Sequence, residues 1–220
     1  MEKILEQNNT FDKFVFIGDY FDSYNKFTGP EQLKNFNEIV DFKLSQPDKV
    51  VLLFGNHDYH YLKTTSENYS GYQAAYKIDF AETIHAALDK NALQMCFKHD
   101  TFLFSHAGVT KTWCGMHDVD LNNVEQSIND LFYYNPNRFR FTVGENFDMY
   151  GDDVCQPPIW VRPRSLMRDK IDGYTQIVGH TTVRAIVDAG IGVVMIDALG
   201  TSKEFISIDD GQINILKYQD

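Results

Sequence analysis

Phe14-Val15-Phe16-Ile17-Gly18-Asp19-Tyr20-Phe21-Asp22 is an apolar, strand-like run that stops at a glycine and passes at once into two carboxylates. The pattern returns further along the chain. Val50 to Phe54 runs into Gly55-Asn56-His57-Asp58, Phe102-Leu103-Phe104 into Ser105-His106, and Ile177-Val178 into Gly179-His180. Side by side in a sheet, these runs would deliver an Asp, an Asn and several His to one rim, where open α/β sheets place their ligands. Asp, Asn and imidazole suit a hard to borderline divalent metal rather than a thiolate site. Metal-assisted hydrolysis is the chemistry implied.

The chain has 220 residues, 43% hydrophobic and 14% aromatic, enough for one large core or two small ones. Its net charge is −11 with no run of Lys or Arg. Non-specific binding to nucleic acid, which rests on phosphate neutralisation, is therefore not expected. Cys96, Cys114 and Cys155 are odd in number and include no C-x-x-C pair. Neither a disulfide framework nor a zinc knuckle is implied, and a reducing cytoplasm fits. Met1 to Glu6 lacks the apolar stretch of a signal peptide. No apolar run approaches the roughly 20 residues that cross a bilayer. A cytoplasmic protein without a membrane partner is expected.

Periodicity predicts a short helix from Met1 to about Gln7 and a first strand from Lys13 to Asp19. A helix opened by Pro30 carries Leu33, Phe36, Val40 and Leu44 at intervals of three and four, and a second strand runs from Lys49 to Phe54. A longer helix presents Tyr76, Phe80, Ile84 and Leu88. Strands over Ala92 to Lys98 and Thr101 to Ser105 flank a tight turn at His99-Asp100. Residues 108–158 lose strand character, with one helix near Val124 to Tyr134 and an aromatic, turn-rich stretch after it. Strands return at Thr175 to Gly179, Gly192 to Asp197, Glu204 to Ile208 and Ile213 to Tyr218, the last two joined by Asp209-Asp210-Gly211-Gln212. The expected organisation is one domain over 1–220 with a helical, aromatic cap-like insertion at about 108–158.

Each motif alone is weak, since a Gly-Asp after a strand is more often a turn and a lone His a satisfied polar group. Their order, G-D-x-x-D, G-N-H-D, S-H-A-G and G-H-T, carries the weight. In that order the chain resembles the calcineurin-like metallophosphoesterases, especially the branch of the phosphoprotein phosphatases and bacterial diadenosine tetraphosphatases, over about residues 13–218. The resemblance implies an α/β fold, a four-layer α-β-β-α sandwich of mixed sheets with a two-metal centre at the strand ends. Carried over by position, Asp19 resembles the carboxylate bridging both metals, and Asn56, His106 and His180 the remaining ligands of the second. His57 resembles the imidazole that protonates the leaving oxygen, with Asp22 holding its tautomer. Asp58 stands where the family has an outer acid.

Two divalent ions (Mn, Fe or Zn) about 3.5–4 Å apart would lower the pKa of a water and clamp the phosphoryl oxygens, while an imidazole poised near neutrality donates the proton the leaving group needs. Gly179-His180-Thr181-Thr182 has one His, which favours the phosphoprotein-phosphatase-like branch over that with a paired G-H-x-H. Arg162, in Trp160-Val161-Arg162, is a candidate to grip phosphoryl oxygens bidentately or a surface arginine beside a buried Trp. Asp197 stands where the family often has an aspartate orienting a ligand histidine, or is a strand-end turn.

Two departures from the family pattern stand out. Its G-D-x-V-D-R-G reads Gly18-Asp-Tyr-Phe-Asp-Ser-Tyr24 here, so one phosphate-gripping arginine is absent. No D-x-H precedes Asp19. The second metal site is complete and the first is left with Asp19, as though the first strand were missing and the start a truncation. His60, between Tyr59 and Tyr61, either approaches the site from the helix after G-N-H-D or, as is more usual, lies on a polar face, and His85, His99 and His117 are expected in structural or solvent roles. The leading expectation is a metal-dependent phosphomonoesterase acting on a phosphorylated small molecule, nucleotide or phosphoprotein. A symmetrical dinucleoside polyphosphate hydrolase and a catalytically impaired binding or regulatory module are the alternatives. The sequence does not specify an oligomeric state.

Overall fold

Alternation along the first two strands sorts the molecule into layers. The computed structural model describes residues 11–24, 26–145 and 147–218; the helix expected over Met1 to Gln7 lies outside them. In chain order the first elements are β1 (Phe14–Phe16), α1 (Gly29–Ser45), β2 (Val50–Leu53), the one-turn α2 (Asn56–Tyr59) and α3 (Lys77–Asp89). Then come β3 (Leu93–Gln94), β4 (Cys96–His99), β5 (Phe102–Ser105), α4 (Lys111–Met116), α5 (Val124–Tyr134) and α6 (Pro163–Asp169). β6 (Thr175–Val178), β7 (Val187–Asp188), β8 (Val193–Met195), β9 (Glu204–Asp209) and β10 (Gln212–Lys217) complete the series.

β1, β2 and β3 form a parallel sheet, and β4-β5-β6-β8-β7 a mixed one in which β5, β6 and β8 run parallel. All of β2 is buried. Val50, Leu52 and Phe54 share a core with Phe36 and Val40 of α1 and Phe80 and Ile84 of α3. Val51 and Leu53 face the other way, into a core with Phe102, Phe104, Ile177 and Val194 of the second sheet. On that sheet's outer side Val178 and Val193 pack with Leu166 of α6. Helix, sheet, sheet and helix are thus stacked around apolar layers, as expected for mixed sheets buried on both faces.

α1 starts where local chemistry puts it. Thr28 caps the Glu31 N–H while Glu31 reaches back to the Thr28 N–H, and Pro30 fills the first turn. α5 has the predicted bounds, and its Val124, Ile128 and Phe132, with Phe139 beyond, enter the same core as α1 and α3. The single strand expected over Ala92 to Lys98 is instead two. The chain breaks at Met95, and β3 pairs with β2 while β4 pairs with β5 in the other sheet. Asn129 of α5 stabilises the break, its Oδ1 accepting from the N–H groups of Met95 and Cys96. The short helices α4 and α6 and the strand β7 were not predicted. No helix among the described residues is long and apolar enough to cross a membrane.

The loops after β1 and β2 cross with their backbones in contact. A Cβ at Gly18, whose φ is 89°, would lie 2.5 Å from the Gly55 nitrogen, and one at Gly55 would lie 2.5 Å from the Asp19 nitrogen and collide with the Asp19 carboxylate. Gly55→Ala is therefore expected to cost about 1–3 kcal/mol, the range for overpacking. Gly115→Ala, in α4 with open space around it, should instead gain roughly 0.5–1 kcal/mol. Urea-unfolding midpoints at unchanged slope measure both; a neutral Gly55→Ala would contradict the crossing.

Candidate metal centre

Asp58 ties the two crossing loops together. Only 1% exposed, its Oδ2 accepts from the N–H groups of Gly55 (2.9 Å) and Asp19 (2.9 Å), and its Oδ1 from the Tyr20 N–H (2.8 Å). Burial and the nearby Asp19 charge push the Asp58 carboxyl up to about 7 against those three donors. The His57 N–H in turn donates to Asp19 Oδ1 at 3.0 Å. Asp19 and Asp22 both have φ 61°, as does His180. For residues with a Cβ this left-handed backbone is uncommon, and such strain concentrates at functional sites.

β5 and β6 deliver the histidines. His106 is 2% exposed and its Nδ1–H donates to the Ile17 carbonyl at 2.6 Å. In the neutral tautomer that bond fixes, Nε2 carries a lone pair. It faces Asn56 Oδ1 at 3.0 Å and Asp19 Oδ2 at 3.3 Å. His180 Nδ1 lies 2.9 Å from the same Asn56 Oδ1, and its Nε2 is buried without a partner. Burial, then His106 and Arg162, depress the His180 pKa well below 6.5 and favour the neutral ring. Burial opposes charge on Asp19, but an extra proton on His106, whose pKa Asp19 raises against burial, and the His57 charge outweigh it and hold Asp19 ionised when no cation is bound.

These four residues therefore aim a carboxylate oxygen, an amide oxygen and two imidazole nitrogens at one another. Acceptors so placed repel unless a cation or an extra proton lies between them. Separations of 2.9–3.3 Å match the spacing of neighbouring ligands on an ion bonded at about 2.0–2.2 Å. The donor set fits a divalent cation.

A second group lies alongside. Asp22, 3% exposed, takes the His57 Nδ1–H on Oδ2 at 3.0 Å and the Tyr61 hydroxyl on Oδ1 at 2.5 Å. His60 was expected on a polar face. It is instead 2% exposed, accepts the Tyr69 N–H on Nδ1 at 3.1 Å, and so carries its hydrogen on Nε2. That Nε2 lies 2.6 Å from Asp22 Oδ2, out of line for a good hydrogen bond. Asp22, His57 and His60 also have the spacing of a metal-capable cluster, as Asp19, His106 and His180 do. In the second group, however, Asp22 already takes the His57 Nδ1–H and the Tyr61 hydroxyl, and only His60 Nε2 is left without a partner. The i, i+3 spacing of His57 and His60 on one helical turn was the signal that could have found His60. Nothing local marks Tyr61 or Gln73, whose Nε2 reaches Asp22 Oδ1 at 3.4 Å.

Arg162 comes to the same rim, at the start of α6. Its Nη1 donates to Thr181 Oγ1 at 3.1 Å and the His180 carbonyl at 3.4 Å, and its Nε to the Tyr150 carbonyl at 2.8 Å. Asp197 accepts from the Thr182 hydroxyl at 2.7 Å, so it braces the segment after His180 through Thr182. Asp19, Asn56, His57, Asp22, His106, His180 and Arg162, nominated from sequence, thus all lie around one rim.

The chain matches the calcineurin-like phosphoesterases over residues 1–183 and belongs to that family. It is a metallophosphoesterase-family protein, a hydrolase acting on phosphoric ester bonds. Among solved structures it is similar to a cold-active protein-tyrosine phosphatase of the psychrophile Shewanella sp., with TM-score 0.62 and 16% identity over 99% of this chain and 75% of that one. It is also similar to a protein serine/threonine phosphatase from Saccharomyces cerevisiae with similarity to human phosphatase PP5, with TM-score 0.54 and 12% identity over 100% of this chain and 76% of that one. Identities this low establish the fold. No curated protein matches the chain.

The Asp22–His57 pair makes stability depend on pH with a definite sign. Burial opposes the Asp22 charge, but hydrogen bonds from His57 and Tyr61, with His60 close by, lower its pKa below 3.8. Its contribution is present above 3.8 and lost as pH falls through the folded value. Burial disfavours His57⁺, but Asp22 and then Asp19 raise its pKa above 6.5. That contribution is full below 6.5 and lost as pH rises through the folded value. In metal-free protein the stability lost on Asp22→Asn should be largest between pH 3.8 and 6.5 and smaller by about pH 9. Urea melts across pH measure it; a loss that grows toward alkaline pH would contradict the pairing.

Proposed function

We propose that this chain is a metal-dependent phosphomonoesterase, with Asp19, Asn56, His106 and His180 as metal ligands and His57 as general acid. The observation that carries the reading is the convergence of His106 Nε2 and His180 Nδ1 on Asn56 Oδ1, at 3.0 and 2.9 Å, beside Asp19. A divalent ion there supplies Lewis acidity toward water and a phosphoryl oxygen.

The remaining work falls to the chain's own groups. Asp22 holds the proton on His57 Nδ1, so a protonated ring presents its second N–H from Nε2 toward the mouth of the site. That proton passes to the ester oxygen as the P–O bond breaks and the water oxygen becomes bonded to phosphorus; one water proton leaves on the hydrogenphosphate product and the other, released to solvent, is regained by His57 from solvent. His60 and Tyr61 keep Asp22 from turning away. Arg162 grips a phosphoryl oxygen while its Nη1 ties it to the His180 segment. Segment 108–158 caps the site within one domain. Manganese, iron and zinc all suit the donor set, and a phosphorylated small molecule, nucleotide or phosphoprotein is the substrate class.

In this 220-residue chain the complete ligand set is that of the second site, so titration calorimetry should find one tight manganese ion per chain. His106→Ala should abolish that binding and the accompanying rise in Tm; unchanged binding would remove His106 from the ligand set. Manganese-supported hydrolysis of phenyl phosphate should fall roughly 10²–10⁴-fold in His57→Asn. The loss should be smaller for p-nitrophenyl phosphate, whose better leaving group needs less protonation. Equal losses would exclude His57 as the acid.

A further inference from the structure

Tyr24 occupies a backbone position that no packing explains. Its φ is 51°, left-handed for a bulky side chain, yet the residue is 59% exposed, so burial does not offset the strain. Its place is nonetheless defined. The hydroxyl lies 2.9 Å from Ser70 Oγ and 3.4 Å from His57 Nε2, and the ring stands edge-on to the His57 imidazole at 5.7 Å. Gly71, itself at φ +85°, leaves room for it: a Cβ there would be 3.3 Å from the Tyr24 ring.

His57 Nε2 is the atom from which a leaving oxygen takes its proton, within hydrogen-bond reach of about 3 Å. Because Tyr24 already stands 3.4 Å from that atom, any group that arrives there touches Tyr24. The ring that the structure places beside His57 Nε2 is that of Tyr24, while the position of the family's arginine is taken by Ser23. A substrate gains less there from a second anionic group than from a ring.

Resting on the phosphomonoesterase reading, we propose that Tyr24 is a specificity-determining residue whose ring forms one wall of the leaving-group site and selects planar aromatic leaving groups over alkyl ones. Strain at an exposed tyrosine is then the consequence of holding a ring where substrate will pack on it. Selection acts before any bond breaks, so binding alone reports it.

The test uses the manganese-loaded chain, with phenylphosphonate and methylphosphonate as non-hydrolysable probes, in wild type, Tyr24→Phe and Tyr24→Gly. Glycine adopts φ 51° without strain, so that variant should fold at least as stably, which Tm checks. Wild type and Tyr24→Phe should prefer phenylphosphonate by roughly three- to tenfold more than Tyr24→Gly does, the gain of one aromatic contact. Methylphosphonate affinity should be alike in all three. The kcat/KM ratio of phenyl phosphate to methyl phosphate should follow the same order. A Tyr24→Gly protein that keeps the full phenyl preference overturns the inference, and if it still hydrolyses both esters the phosphomonoesterase reading survives. Tyr24-dependent phosphonate selection without hydrolysis of either ester overturns the phosphomonoesterase reading and, with it, the assignment of the ring to a leaving-group site. Binding of neither phosphonate overturns both.

Discussion

The buried carboxylate of Asp58 is what lets two strand-end loops share one site. The loops after β1 and β2 each need a partner for backbone N–H groups that no longer lie in a sheet ladder. Asp58 accepts from both at once, taking Gly55, Asp19 and Tyr20. Buried donors left unpaired would cost about 1–3 kcal/mol each, so one side chain settles three such debts and fixes the relative position of the loops. Asp19, Asn56 and His57 inherit their places from that tie. The glycines at 18 and 55 are its steric counterpart, since the backbones approach too closely for a side chain on either.

Within that frame the candidate metal centre is a region of deliberate mismatch. Folding brings two imidazole nitrogens, an amide oxygen and a carboxylate oxygen to 2.9–3.3 Å from their neighbours, and the neutral tautomer that Ile17 imposes on His106 leaves its Nε2 facing Asn56 and Asp19 oxygens with no proton between them. Compact native structures otherwise pair their buried polar atoms. His180 Nε2, buried without a partner, belongs to the same pattern. Beside it Asp22 is paired with the His57 Nδ1–H and the Tyr61 hydroxyl, although His60 Nε2 is also left without a partner. The Asp22–His57 pair suits that group to hold a proton, whereas the facing acceptors of the first group suit a cation.

Asp19, Asp22, Tyr24 and His180 take left-handed φ at the rim of the sheets, as Asn91, Asp100 and Asp210 do in turns and the exposed Phe147 does in a loop. Such conformations persist only where surrounding contacts over-determine them. Asp58 does this for Asp19, Tyr61 and His57 for Asp22, and Arg162 for the carbonyl of His180. For Tyr24 the visible contacts are few and exposed, which is why its explanation lies with a ligand rather than with the fold.

Local sequence determined the parts that depend on neighbours in the chain. Apolar runs ending in Gly-Asp, Gly-Asn-His and Ser-His placed the strands and their ligand-bearing ends, because alternation and turn chemistry act within a few residues. The bounds of α5 were legible for the same reason. Contacts distant in sequence decided the rest. The break at Met95 depends on Asn129, a helix away, and sends β3 and β4 to different sheets. His60 looked like a solvated residue because its partners, Asp22 and the Tyr69 N–H, are brought to it only by packing. Which residue types stand at the strand ends is written in the chain. That they share one rim, and which of them face each other without protons, is set by the stacking of two sheets whose inner faces must both be buried.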